Sequence, residues 1–168
     1  MVQYLLLHEA DVNAKTVLGT YPLYMAALNV KFLVEKGAFI NNGDVTCNST
    51  PLHLAVLNGN AFIIVDLLLQ NGALTDSREV TGLTALHIAA LLGHASVVKT
   101  LIQRGVDIQI QTTCQATALH LAAQEGHQQV VDILLAAGAN LHCVNDKVLT
   151  ALHISASIDV DINITDRD

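Results

Sequence analysis

Polar and apolar positions along this chain fall into short blocks that recur at a nearly constant distance. TPLHLA (Thr50–Ala55), TALHIA (Thr84–Ala89), TALHLA (Thr117–Ala122) and TALHIS (Thr150–Ser155) carry His53, His87, His120 and His153, at steps of 34, 33 and 33 residues. A degenerate copy, Tyr21-Pro22-Leu23-Tyr24-Met25-Ala26, lies 29 residues before the first. Behind three of the blocks the pattern predicts an apolar helix ending in glycine: VDLLLQNGA, VKTLIQRGV and VDILLAAGA. A related ending, YLLLHEADVNA, opens the chain with Glu9 in the glycine slot. Self-similarity at this period is the mark of a repeat architecture, in which each unit buries its apolar stripe only against its neighbours.

These blocks resemble the ankyrin repeat over nearly the whole chain, as an array of about five repeats. The resemblance implies an all-α solenoid of helix-turn-helix units joined by β-turn or hairpin loops, with almost no sheet. The residues suit that role. Thr50, Thr84, Thr117 and Thr150 stand where a side-chain oxygen can cap the first helix. Pro22 and Pro51 stand at first helical positions, where a missing N–H is harmless. Ala55, Ala89 and Ala122 let helices approach closely. Gly59, Gly93 and Gly126 fall where the first helix turns back, and Gly72, Gly105 and Gly138 close the second. First helices are thus predicted to begin near Pro22, Pro51, Ala85, Ala118 and Ala151. One array spans residues 1–168, in units of about 1–18, 19–47, 48–81, 82–114, 115–147 and 148–168, with the first and last incomplete.

Two stretches depart from the period. From Ala55, Ala89 and Ala122 to the closing glycine takes 17, 16 and 16 residues, but from Ala26 to Gly37 only 11. Ser155 is followed almost at once by Asp161–Asp168, which reads as a further turn with no second helix before it. Either residues are skipped at Asn29–Val30 and Ser157–Ile158, or the repeats are truly shortened there. The pattern at both ends is that of a piece of a longer array.

Composition narrows the function. The 168 residues are 52% hydrophobic and only 14% charged, with 8 Lys and Arg against 15 Asp and Glu, for a net charge of −7. So apolar a chain has ample surface to bury and is not disordered. Its apolar runs are broken by Asp66, His87 and His94, short of the ~18–20 residues a membrane span needs. No direct membrane insertion and no targeting segment are expected. The scarcity of clustered cations argues against nucleic acid as the ligand. Three cysteines without close spacing suggest a reducing compartment, and hence the cytoplasm.

Eight histidines invite a metal or catalytic role. Four of them recur in one slot, where the resemblance implies that the imidazole bonds the capping Thr and the next turn's backbone. Buried rings must be satisfied in some such way. His87 and His120 are expected to be buried there, and His94 and His127 to be structural in the slot after the reversing glycine. No HExxH, CxxC, phosphate loop or nucleophile elbow appears. The expectation is therefore no catalytic residue, no cofactor and no metal: not an enzyme.

The resemblance implies a protein–protein interaction scaffold that binds on its concave face, through turn tips and the exposed ends of first helices. Carried onto this chain, it gives Leu57, Asn58, Leu83, Leu91, Leu92, Gln124, Glu125, Asp146 and Leu149 as partner contacts. Several of these slots hold leucine, and an exposed apolar patch marks an interaction site. Three readings stay open: a groove for an apolar partner segment, packing against another part of a larger chain, or burial by the array's own curvature. In the first, Gln124, Glu125 and Asp146 form a polar, acidic flank suited to a basic segment. The alternative function is a regulatory or tethering region of a larger channel, toxin or enzyme. The array itself is expected to be monomeric or part of such a chain. The resemblance also makes Asn13 and Asn41 candidates for asparaginyl hydroxylation, against a plainer role in bonding the turn.

Overall fold

The computed structural model describes residues 1–17, 22–25, 30–57 and 62–157. Tyr21, the Asn29 junction, Asn58, Gly59 and everything after Ser157 lie outside the described residues. The chain divides into two compact units, Met1–Ala85 and Leu86–Asp168. In the first, α1 (Val2–Leu7) is followed by a 3₁₀ turn at Pro22–Met25, then α2 (Val30–Glu35), α3 (Pro51–Leu57) and α4 (Phe62–Gln70). The second holds α5 (Ala85–Leu91), which opens on the last residue of the first unit, then α6 (Ala95–Gln103), α7 (Ala118–Gln124), α8 (Gln128–Ala136) and a helix over 151–157. Among the described residues there is no strand. First helices begin at Pro22, Pro51, Ala85, Ala118 and 151, as the blocks predict, although Pro22–Met25 makes a single 3₁₀ turn and not an α-helix.

Each unit builds its core from the recurring apolar slots. In the first, α4 packs on α3 and α2, and Leu33, Leu52, Val56, Val65 and Leu68 are buried between them. In the second, α8 packs on α7 and α6. Val97, Val98 and Leu101 on α6 and Val130 and Leu134 on α8 form stripes spaced three to four residues apart, the spacing that puts side chains on one helix face.

The second helices close alike. The N–H of Ala38, Ala73, Val106 and Ala139 reaches back to the carbonyl of Leu33, Leu68, Leu101 and Leu134, at 2.9–3.2 Å. The preceding glycine of each closure is left-handed, as at Gly105 with φ +79°. This satisfies carbonyls that the helix end leaves free. Ala10 bonds Leu5 in the same way at 3.1 Å, with Glu9 at φ +65°. Leu5 therefore occupies the slot of Leu33, Leu68, Leu101 and Leu134.

Four residues on from that left-handed slot, an amide staples one repeat to the next. Asn13 gives its Nδ2–H to the Gly37 carbonyl at 3.0 Å and takes the Phe39 N–H on Oδ1 at 2.8 Å. Asn41 does the same with Gly72 and Leu74, at 3.0 and 2.9 Å. Gln109 does so with Gly138 and Asn140, at 3.0 and 3.3 Å. An amide has the one donor and one acceptor face that this double bond requires. The turn-bonding role weighed for Asn13 and Asn41 is thus the one their side chains perform, and it links repeats instead of a single turn.

The hairpin tips repeat as well. The N–H of Asp44, Glu79, Thr112 and Asn145 bonds the carbonyl of Ser49, Leu83, Ala116 and Leu149 at 2.8–3.1 Å. Near the far end of each tip stands a left-handed residue: Asn48, Gly82, Gln115 and Val148. Val148, at φ +60°, is β-branched, the side-chain type least tolerant of that conformation. Its side chain is 73% exposed, so no packing compensates the strain. Val148→Asn should raise the unfolding free energy by about 1 kcal/mol, as glycine and asparagine relieve left-handed strain. Urea unfolding of the two proteins checks this, and an unchanged or lower midpoint contradicts it.

Candidate protein-interaction surface

The repeated histidines are structural. His53 is buried under the start of α3. Its Nδ1 lies 3.1 Å from the Thr50 N–H and 3.0 Å from the Thr50 hydroxyl, and its Nε2 lies 3.0 Å from the Ser77 carbonyl. A backbone N–H can only donate and a carbonyl can only accept, so Nδ1 is the bare nitrogen and Nε2 carries the proton. Burial pushes the ring below the ordinary imidazole value of 6.5, against the opposing pull of the Ser77 carbonyl and Glu79. His120 makes the same pair of bonds, to Thr117 at 3.1 and 2.8 Å and to the Leu149 carbonyl at 3.1 Å. With the His120 N–H on the Thr117 hydroxyl it forms a capping box in which histidine takes the usual place of Glu or Gln. His87, also buried, reaches the Ile110 carbonyl at 3.0 Å. At His53 and His120 the ring therefore bonds the Thr of its own repeat, and at all three it bonds the backbone of the following turn.

One turn tip has a charged anchor. Burial works against the Asp44 carboxylate, yet the N–H groups of Cys47 and Thr46, with the Cys47 thiol at 3.2 Å, hold it below its ordinary 3.8. Cys47, Cys114 and Cys143 are free thiols. Among the described residues, no three His, Cys, Asp or Glu side chains converge to hold a metal ion. No helix among them is long and apolar enough to cross a membrane.

The predicted contact residues divide by exposure. Leu57, at the end of α3, is 50% exposed, and Leu92, just past α5, is 40% exposed. Leu83, Leu91 and Leu149 are half-buried. Their carbonyls are structural bonds: Leu83 to the Glu79 N–H, Leu91 to His127 Nε2 at 3.0 Å, and Leu149 to His120 and Asn145. Gln124 and Glu125 are exposed at the end of α7 and bond one another at 3.2 Å. Asp146 is exposed, and its N–H ties its turn tip to the Cys114 carbonyl at 3.0 Å. Asn58 lies outside the described residues.

Within the second unit, the His127 bond draws the Leu91-Leu92 pair and the reversing turn after Gln124-Glu125 together. The approach is close enough that a Cβ on Gly93 would stand 2.7 Å from the His127 ring, which reserves that position for glycine. His94, in the slot of His127, has a buried Nε2 without a partner among the described residues.

Sequence reasoning passed over Phe62 and Ile63, both exposed at the start of α4. Slot comparison was the available signal. The equivalent pairs are Ala95-Ser96 on α6 and Gln128-Gln129 on α8, so the large apolar pair stands alone.

Paired short helices, stapled repeat to repeat and free of any converged chemistry among the described residues, define a helical-repeat solenoid protein. A family model described as ankyrin repeats in three copies matches residues 1–78, 30–112 and 86–162, and the chain belongs to the ankyrin repeat family. It is 35% identical over 119 residues to the ankyrin repeat protein FPV031 of Fowlpox virus (strain NVSL), covering 66% of this chain and 35% of that protein. It is 36% identical over 101 residues to delta-latroinsectotoxin-Lt1a of Latrodectus tredecimguttatus, covering 54% of this chain and 8% of the toxin. It is 35% identical over 104 residues to the B-cell lymphoma 3 protein homolog of Mus musculus, covering 59% of this chain and 23% of that protein. The matches thus span about a third or less of these relatives' lengths. Ankyrin repeats are in general protein-interaction modules.

Proposed function

We propose that the chain is an interaction scaffold that holds a protein partner on the concave face of its array and performs no catalysis of its own. Leu57, Asn58, Leu83, Leu91, Leu92, Gln124, Glu125, Asp146 and Leu149 are its contacts. The observation that carries this reading is the exposure of Leu57 and Leu92 at the ends of first helices, where core packing gives a leucine no reason to be. Leu57 and Leu92 supply the apolar contacts, and Gln124, Glu125 and Asp146 a polar, acidic flank for a basic partner segment. The free thiols suit a reducing compartment such as the cytoplasm. The small share of the relatives that the chain spans favours a second reading, a tethering or regulatory region that packs within a larger protein.

The test is affinity capture with the wild-type chain and the double variant Leu57→Asp, Leu92→Asp. Burying a leucine is worth about 1.5–3 kcal/mol, so loss of two contacts weakens binding by about tenfold or more. A partner retained by the wild type and lost by the variant, at unchanged helicity, is the expected result. Equal retention by both contradicts the assignment.

A further inference from the structure

Asparagine followed by glycine is a labile pair, because glycine has no Cβ to shield its backbone nitrogen from the neighbouring side-chain amide. The chain has three such pairs: Asn42-Gly43, Asn58-Gly59 and Asn71-Gly72. Asn58-Gly59 lies outside the described residues. The other two sit in the first unit, in opposite environments.

Asn71-Gly72 is fastened at both groups that the reaction needs. The Asn71 Nδ2 donates to the Leu67 carbonyl at 2.8 Å, and the Gly72 N–H donates to the Leu69 carbonyl at 3.2 Å. The pair closes α4, with Gly72 at φ +89° and the Ala73 N–H bonded back to Leu68 at 3.0 Å. Turning the Gly72 nitrogen onto the side chain would break that closure.

Asn42 is exposed and lies outside any helix, at the entrance of the hairpin that the Asp44–Ser49 bond opens. The Gly43 N–H meets no acceptor among the described residues, so its nitrogen is open to reaction. The hairpin also fixes glycine here. A Cβ on Gly43 would stand 2.5 Å from the Asn48 side-chain oxygen and 2.7 Å from its backbone carbonyl. Asn48 is itself held by its Nδ2 bond to the Arg78 carbonyl at 2.9 Å. The fold thus demands the residue that makes Asn42 reactive.

We propose that Asn42 is a site of spontaneous deamidation that ages the link between two repeats. The Gly43 nitrogen gives its proton to hydroxide and adds to the Asn42 Cγ. The side-chain nitrogen takes up protons from water and leaves as ammonia, giving a five-membered imide. Water then adds to one of the two imide carbonyls, the C–N bond breaks there, and Gly43 regains its N–H. Opening at Cγ leaves aspartate, and opening at the main-chain carbonyl leaves isoaspartate, linked through its side chain. No group is oxidised or reduced: an amide and water become an acid and ammonia. Isoaspartate carries an extra main-chain carbon beside Asn41, and so displaces the amide that bonds Gly72 and Leu74.

The test ages the folded chain in mildly alkaline buffer and reads both pairs by peptide mass spectrometry, with fragmentation that separates aspartate from isoaspartate. Residue 42 should convert about tenfold or more faster than residue 71, where two hydrogen bonds must break first. In urea, which frees both pairs, the rates should converge. Asn42→Gln must close a larger ring, so after the same ageing it should keep the urea midpoint that the wild type loses. Equal rates in the folded chain, or a residue 42 that stays an amide, overturn the proposal. So does a difference in rate that persists in urea, which would place its cause in the local sequence. Isoaspartate at residue 42 with an unchanged urea midpoint overturns the ageing of the link.

Discussion

Leu101→Ala lowers the unfolding free energy by about 2–5 kcal/mol, the range for truncating a buried leucine. Leu101 is fully buried on α6 with Val97 and Val98, and its carbonyl accepts the bond that closes the helix. Removing its side chain leaves a cavity that a helix of nine residues, held at its closure, can collapse into only in part. Leu5→Ala changes the same slot, with the same closing bond, but on a side chain that is half exposed. In dilute solution it costs less than about 1 kcal/mol, as for surface substitutions. Urea unfolding of both variants measures the contrast. Equal losses would mean that the slot, and not its burial, sets the energy, and the packing argument would fail.

His53→Ala removes the link between the start of α3 and the next turn, at a cost of about 1–3 kcal/mol from buried groups left without partners. Those groups are the Thr50 N–H and the Ser77 carbonyl. The ring also makes stability depend on pH. Its folded form is neutral, with burial holding its pKa below 6.5, while in the unfolded chain it titrates near that value. Below 6.5 the unfolded state therefore binds more protons than the folded one, so stability falls as pH falls and is fully present above that value. A proton on Nδ1 would face the Thr50 N–H, donor against donor, which is the local reason that the folded state refuses it. The expected result is wild-type stability that declines from pH 7 to pH 5, with this ring contributing up to about 1.4 kcal/mol per pH unit. His53→Ala should decline less steeply. A parallel decline of the two proteins would remove this ring from the cause.

Much of this was legible in the linear pattern. The steps between His53, His87, His120 and His153 located the helix starts, because a cap, a first-turn proline and a closing glycine are local devices that act through their own few residues. Recurrence in one slot made the histidines readable as structural, the resemblance implied their bond to the capping Thr, and the ring and the Thr do stand three residues apart. Even the odd Glu9 could be placed in the glycine slot, and its left-handed backbone agrees.

Which copies of a slot are covered was not legible in that way. Leu5 and Leu101, or Leu152 and Leu86, are the same letter in the same context, and only the presence or absence of neighbouring elements separates buried from exposed. For the same reason the expected leucine patch divided, with Leu57 and Leu92 open to solvent and Leu83 and Leu91 half-buried. The amide staples of Asn13, Asn41 and Gln109 join residues 24 to 33 apart, beyond the reach of any local rule. The sequence by itself determined the period, the helix ends and the caps, since those depend on interactions within a few residues. The tertiary structure alone decided burial and the repeat-to-repeat staples, because each depends on which distant element comes to lie against a given face.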